Sequence, residues 1–438
     1  MNFADTVAYF RHLGLELRPG AKFDLARIAA LMAELGQPQQ AWQSVHIAGT
    51  NGKGSVAAMV ESALRSAGAR TGLYTSPHLR RITERIRIAG EEIAPEAFAA
   101  AFTTVHGAIE GFLASGAWPY PPSFFETLTA AGFVAFRDAN IEIGVVEVGM
   151  GGRLDATNIL APAAAAITAL GLDHEKYLGA TLAAIAGEKA GIMKPGLAVV
   201  TGLQPAEAAA VLRERAAAVG ARLVPAAPLL GAPAADADGA FRFRSEYLDE
   251  VIEIRLRLPG RHQVENARVA LRVCELLARQ TGRPGAAAVV AGLEQARWPG
   301  RLEKLAAHPP VWADGAHNPL AARALRDFIA AMGWRPVLIY GSLRDKAIGE
   351  ISELLFPLAR HVILTRPESP RALSPSALAM QAAPAPVPVE PSENLAAALA
   401  RARELAGATT PILITGSLYL VGEAQALLEP KQVARGCE

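Results

Sequence analysis

Along the 438 residues, short apolar runs alternate with stretches that read as helices. The runs SVHIAG (44–49), IGVVEVG (143–149), AAAAITAL (163–170), RPVLIYG (335–341), HVILT (361–365) and PILITG (411–416) carry almost no interspersed charge. Strands covered on both faces read this way, and their alternation with helices predicts an α/β protein with parallel sheets. One segment differs. In VIEIRLRL (251–258), Ile252, Ile254, Leu256 and Leu258 alternate with charged residues, which predicts a half-buried antiparallel strand. With FRFR (241–244) and the turn-like YLDE between them, it predicts a hairpin on the edge of the first domain. The N-terminal MNFADTVAYFRHLG predicts a short amphipathic helix and has no basic-then-apolar signal pattern.

The chain is too long for one ordinary core. A Trp-Pro-Gly step in RWPGRLE (297–303) breaks a helical stretch, and a new strand–helix rhythm starts at VWADG. The expected division is therefore 1–297 and 298–438. The Ala/Pro-rich stretch 225–240 is expected to be a surface loop. Composition adds bounds. Apolar residues make up 51%, charged residues 19%, and the net charge is +1, so a packed protein is expected, with no general attraction to nucleic acid or a membrane. No apolar run is expected to reach the roughly 18 residues that cross a bilayer. The two cysteines, Cys274 and Cys437, do not make a disulfide framework, which places the chain in a reducing cytoplasm.

The sharpest local signal is HIAGTNGKGS (46–55). A strand ends at Ala48, a Gly-rich turn follows, and a helix starts near Ser55 with an apolar stripe at Val56, Met59, Val60, Ala63 and Leu64, and a stop at Gly68. Backbone N–H groups of Gly49, Thr50, Asn51, Gly52 and Gly54, with the positive helix end, would cradle phosphates. Lys53 would reach the outer phosphates and Ser55 would hold Mg²⁺, one place later than in the usual phosphate-loop pattern. An ordinary Gly-rich turn is the alternative. His46, inside the strand, is expected to be a packed core residue.

GTNGKGS resembles the ATP loop of the Mur ligase superfamily, which includes the folylpolyglutamate synthases. TSPHLRRITERIRI (75–88), EVGMGGRLDATN (147–158), LDHEKYLGATLAAIAGEKAGIMKP (172–195), PGRHQVENA (259–267), WPGRLE (298–303), DGAHNP (314–319) and GSLYLVGE (416–423) extend the resemblance in order over nearly the whole chain, and within the superfamily they are similar to the folate branch. It implies an N-terminal phosphate-loop ATPase domain with a parallel sheet and a small antiparallel one, and a C-terminal Rossmann-like domain. The implied reaction is ATP-dependent: a carboxylate accepts the γ-phosphoryl group, and the amine of L-glutamate attacks the acyl-phosphate. Dihydropteroate and reduced folates are the implied acceptors, in a bifunctional enzyme that works as a monomer. A monofunctional folylpolyglutamate synthase, a ligase acting on a cell-wall precursor, and a nucleotide-binding regulator that lost catalysis are the competing readings.

The resemblance also implies roles. Ser55, Ser76 and Glu147 would hold one Mg²⁺, and His174 a second, with Asp173 orienting it. Glu147 could instead cap a neighbouring turn. Lys189 would be carbamylated, turning a cation that opposes two Mg²⁺ ions into an anion; otherwise it is a surface lysine paired with Glu188 or Glu175. Lys53, His174 and Lys189 are the implied catalytic residues. Asn266, Arg301, Asp314 and His317 would contact ATP, although DGAHNP could be a helix cap with Asn318 before Pro319. Lys22, Phe23, Asp24 and Leu25, then Ser123, Phe124, Phe125 and Glu126, then Leu154, Asp155 and Ala156 match a dihydropteroate site. Phe124 or Phe125 could stack on the pterin, or both could belong to a core-facing helix stripe.

Overall fold

A computed structural model describes residues 1–13, 24–236 and 239–429. Two compact units emerge: Met1–Arg257 with His262–Arg297, and Leu258–Arg261 with Trp298 onward. The first is built on an eight-stranded sheet. Its strands are β1 (Gln43–Ala48), β2 (Thr71–Tyr74), β3 (Ile86–Ile88), β4 (Glu91–Glu92), β5 (Ile143–Glu147), β6 (Ala164–Ile167), β7 (Ala198–Thr201) and β8 (Arg222–Pro225), in the spatial order β4-β3-β2-β5-β1-β6-β7-β8. From β2 to β8 the pairing is parallel, and β3 and β4 add an antiparallel edge. Central β1 and β5 are buried almost throughout, which is why their sequences show no alternation.

The expected hairpin is present. β9 (Ala234–Ala235), β10 (Phe241–Tyr247) and β11 (Glu250–Leu256) form a separate antiparallel sheet, with Leu248 and Asp249 at positive φ in the two-residue turn. Phe243, Ser245, Tyr247, Ile252, Ile254 and Leu256 face inward and the charged residues outward.

The second unit has a six-stranded sheet of β12 (Glu303–Ala307), β13 (Pro310–Asp314), β14 (Val337–Tyr340), β15 (His361–Leu364), β16 (Val389–Pro391) and β17 (Ile412–Thr415). Its order is β12-β13-β17-β14-β15-β16, parallel except for β12.

Two expectations need correction. The helix after the phosphate loop, Lys53–Ser66, is buried on every side from Gly54 to Leu64 rather than along one stripe. Its one buried charge, Glu61, accepts hydrogen bonds from Thr71 Oγ1 (2.6 Å) and Arg65 Nε (3.0 Å), as a carboxylate removed from water requires. Gly292 of the helix Ala286–Gln295 lies so close that a Cβ there would meet Ala63 Cα at 2.4 Å. Secondly, the helix Pro95–Ala114 is long and apolar enough to cross a membrane by length and composition. Its Phe98, Phe102, Val105 and Ile109 are nevertheless fully buried in a core cluster with Phe10, Leu128 and Phe133. Cys274 is a free thiol on the helix Arg261–Thr281, and burial pushes it up to about 12. Cys437 lies outside the described residues.

Candidate active site

β1 and β5 run side by side with Ile47 opposite Glu147, so the Gly-rich loop after Ala48 and the carboxylate of Glu147 leave the sheet at the same edge. Open parallel sheets bind ligands at the carboxyl ends of their strands. Gly49 has φ +148°, and a Cβ there would lie 1.8 Å from Thr168 Oγ1. Gly52 has φ +87° and directly precedes the helix that begins at Lys53. The loop is laced to the strand end of β6. Thr50 N and Asn51 N donate to the Ala169 carbonyl at 3.0 and 3.2 Å, and Thr50 Oγ1 donates to the Gly171 carbonyl at 3.0 Å. Thr168 Oγ1 donates to the Asn51 carbonyl at 2.7 Å. Thr168 was not foreseen: it lies 117 residues from its partner, and only its place at a strand end could have marked it.

Lys53 Nζ donates to the Thr50 carbonyl at 3.1 Å and stands 3.9 Å from Glu147 Oε1. Glu147 is buried, and its other oxygen accepts the Ser76 backbone N–H at 3.2 Å. The carboxylate thus caps the turn after β2 and pairs with the loop lysine at once. Ser55 is buried on the first turn of the helix. Asn266 belongs to the same neighbourhood: its Oδ1 lies 2.3 Å from where a Gly52 Cβ would stand, and its Nδ2 donates to Gln263 Oε1 at 2.9 Å.

Lys189 is not a surface lysine. Its side chain is buried and its ammonium donates to the Gly49 carbonyl at 2.8 Å, bringing it onto the phosphate loop. Glu188 pairs instead with Arg153 (2.8 Å). Burial, then the nearby Lys53 charge, lowers the Lys189 amine to about 7, against the opposing pull of Asp173 and Asp155. His174 is half-buried with φ +54° at the start of the short helix Glu175–Leu178. Asp173 Oδ1 accepts the backbone N–H of His174 at 2.9 Å, so it fixes the backbone there. Among the described residues no group of three or more His, Cys, Asp and Glu side chains converges as a ready-made metal cage. That is compatible with Mg²⁺, which takes one or two carboxylates and completes its shell with water and phosphate oxygens.

The residues matched to a dihydropteroate site fall into separate groups. Lys22 and Phe23 lie outside the described residues. Asp24 Oδ1 accepts the Ala26 N–H at 2.9 Å just ahead of the next helix, and Leu25 is half-buried beside it. Ser123 and Glu126 form a capping box at the start of the helix Phe124–Asp138, so their side chains are committed to that helix end. Phe124 is nearly buried, packs on Phe10, and carries the Arg85 guanidinium 5.4 Å over its ring. Phe125 is half-buried, its ring pressed on Gly149. Both aromatics therefore belong to the core stripe, and Phe125 also borders the loop that carries Leu154, Asp155 and Ala156.

In that loop Leu154 is half-buried and Ala156 buried. Asp155 is buried and spends both oxygens locally, accepting from Thr157 N (3.0 Å), Thr157 Oγ1 (2.5 Å) and Met150 N (2.8 Å). Because the Thr157 hydroxyl donates to Asp155, it accepts from His46 Nε2 at 2.8 Å. His46 is a core residue as expected, and burial, with Lys194 adding, lowers it to about 3. His78, which takes the Arg85 Nε–H on Nδ1 at 2.8 Å, is likewise lowered to about 3 by burial and by Arg85.

In the second unit Asp314 ends β13. Its oxygens accept Leu302 N and Ala316 N, both at 2.9 Å. Arg301 lies against Gly315, where a Cβ would meet Nη1 at 2.6 Å, and His317 Nδ1 contacts the Gly315 carbonyl at 2.7 Å. Asn318 caps the helix Pro319–Ala331 through Ala321 N, with Pro319 at its first position.

Comparison with known proteins decides the family. The profile of the Mur ligase middle domain matches residues 47–274, and that of the Mur ligase glutamate ligase domain residues 300–418. The chain belongs to the Mur ligase family. Within it, the dihydrofolate synthase/folylpolyglutamate synthase of Mycobacterium tuberculosis is 38% identical over 452 residues, covering 95% of this chain and 92% of the relative. A crystal structure of the M. tuberculosis folylpolyglutamate synthase complexed with ADP and AMPPCP superposes with a TM-score of 0.88 at 36% identity, over 98% of this chain and 100% of that one. E. coli FolC in complex with DHPP and ADP gives 0.84 at 27% identity, over 98% of both chains. The fold expected from the sequence, a Mur-ligase ATPase domain followed by a second α/β domain, is the fold found.

Proposed function

We propose that this Mur ligase is an ATP-dependent ligase that adds L-glutamate to dihydropteroate and then to reduced folates, through an acyl-phosphate, releasing ADP and phosphate. The observation that carries the reading is the shared strand edge. There the GTNGKGS loop, the Lys53–Glu147 pair and the buried Lys189 amine on the Gly49 carbonyl meet. The relatives add support, since they carry synthase names and bind ADP, AMPPCP and DHPP.

In this reading residues 1–297 bind ATP and the pteroyl substrate, and 298–438 form the second domain. Residues 49–55, Asn266, Arg301, Asp314 and His317 serve ATP. Lys53 neutralises charge on the transferred phosphoryl group, and the loop N–H groups orient it. Ser55, Ser76 and Glu147 would hold one Mg²⁺, and His174 with Lys189 a second, all offering donors that suit the ions except the ammonium. When bound, the ions offset the negative charge that builds up between the phosphate and the carboxylate. The lowered Lys189 amine resolves the exception: near neutral pH a large share is uncharged, and an uncharged amine adds to CO₂, losing one proton, to give a carbamate. Asp24, Leu25, Phe124, Phe125 and Leu154 border the pteroyl substrate, with Ser123, Glu126, Asp155 and Ala156 holding the segments that present them.

The test is phosphate release with ATP and glutamate against three acceptors. Release with dihydropteroate and with tetrahydrofolate is expected. Release with tetrahydrofolate alone reduces the reading to a folylpolyglutamate synthase, and release only with a peptidoglycan precursor overturns it.

A further inference from the structure

Arg27 sits two residues after Leu25, on the helix Ala26–Glu34, and is half-buried. Its Nη1 donates to the carbonyls of Tyr120 and Pro121, at 3.2 Å each. The guanidinium lies 4.1 Å from the centre of the Tyr120 ring and 5.6 Å from that of Trp118. Trp118 in turn stacks on Phe112, with ring centres 4.1 Å apart and planes 16° from parallel. The segment so gripped, WPYPP (118–122), is stiffened by three prolines and runs directly into Ser123, the cap of the helix that carries Phe124 and Phe125. One side chain thus joins the start of the 24–34 segment to the start of the 123–138 helix. These are two walls of the proposed pteroyl site.

We infer that Arg27 is a positioning residue for the pteroyl substrate, clamping these two walls in register through the Tyr120 and Trp118 rings and the two carbonyls. The inference rests on the ligase reading. Tyr120 is 60% exposed, and the guanidinium above its ring helps hold the ring in place. A clamp of this kind acts on the site's geometry through Tyr120, Pro121 and Trp118, none of which belongs to the phosphate loop. It therefore changes recognition of the acceptor and leaves recognition of ATP alone.

The experiment measures kcat, KM for dihydropteroate and tetrahydrofolate, KM for ATP, and Tm for Arg27→Met, Arg27→Lys, Tyr120→Leu and the Arg27→Met/Tyr120→Leu pair. Losing two charge-assisted hydrogen bonds and a cation–aromatic contact predicts an acceptor KM raised about tenfold by Arg27→Met, with the ATP KM unchanged. Arg27→Lys keeps a cation over Tyr120 but not the planar fork, and recovers part of the loss. The double variant resembles Arg27→Met, because both changes break one clamp. An acceptor KM that stays at the unmodified value, or an ATP KM that rises in step with it, overturns the inference. If Arg27→Met does not fold, Tyr120→Leu is judged by the same criteria. Turnover by the unmodified protein with unmoved acceptor KM in the variants defeats this inference alone; no turnover with either pteroyl acceptor defeats the ligase reading and this one with it.

Discussion

Replacing Gly49 by alanine tests the phosphate loop at its tightest point. The new Cβ would stand 1.8 Å from Thr168 Oγ1 and 2.9 Å from Thr168 Cβ, so the threonine must move. Moving it gives up the 2.7 Å bond from its hydroxyl to the Asn51 carbonyl, worth about 1 kcal/mol. The backbone at φ +148° suits glycine only, and forcing alanine into it costs a further 1–3 kcal/mol or so. If most of this falls on the ATP-competent loop, kcat/KM for ATP drops by about 2–4 kcal/mol, or roughly 30- to 1000-fold. Steady-state phosphate release gives the number, and Tm separates it from unfolding. Thr168→Ala alone should cost about fivefold through the lost hydroxyl. Combined with Gly49→Ala it should recover part of the larger loss, because the oxygen that blocks the methyl is gone. A folded Gly49→Ala enzyme with kcat/KM for ATP at the unmodified value would refute the reasoning, and so would strict additivity of the two changes.

Other consequences follow from the same geometry. Lys53→Ala removes the charge beside Glu147 and the Thr50 carbonyl and should lower kcat by several kcal/mol, about 10³-fold, at little cost in Tm; near-normal turnover excludes the phosphate role. Lys189→Ala should be inactive and partly restored by acetate, which supplies the missing anion; full activity without acetate contradicts a carbamate. His46, with a folded value of about 3 against an ordinary 6.5, binds its proton only when unfolded, so its contribution to stability is lost as pH falls from 6.5 towards 3. At pH 5 that is about 1.5 units, or roughly 2 kcal/mol. His46→Gln should therefore lose about that much less stability than the unmodified protein between pH 7 and pH 5 in urea unfolding, and parallel losses would exclude the assignment.

Much of this was legible in the sequence because it is local. A strand, a Gly-rich turn and a helix start are contiguous in 44–66, and the period-two pattern of 251–258 names its own buried face. Ser123 and Glu126 were read from the sequence as part of a dihydropteroate site, and the structure shows their side chains committed to a capping box. What could not be read is carried by distant pairs. Thr168 reaches Asn51, Lys189 reaches the Gly49 carbonyl, and Arg27 reaches Tyr120 only because the sheet order and helix packing bring them together. The buried surroundings of the Lys53–Ser66 helix were missed for a related reason: alanine and serine on its outer side look polar-tolerant in sequence, while a glycine more than 200 residues on lets another helix close over them.

The most direct test of the central claim is isotopic. Dihydropteroate labelled with ¹⁸O in its carboxylate is turned over once with ATP and L-glutamate, and the released phosphate is weighed. Transfer of the γ-phosphoryl group to that carboxylate, followed by attack of the amine at the carbonyl carbon, leaves the bridging oxygen on phosphate. The account predicts one ¹⁸O in each phosphate and one in each new amide. Unlabelled phosphate, with the displaced ¹⁸O carried by AMP or lost to water, would contradict it.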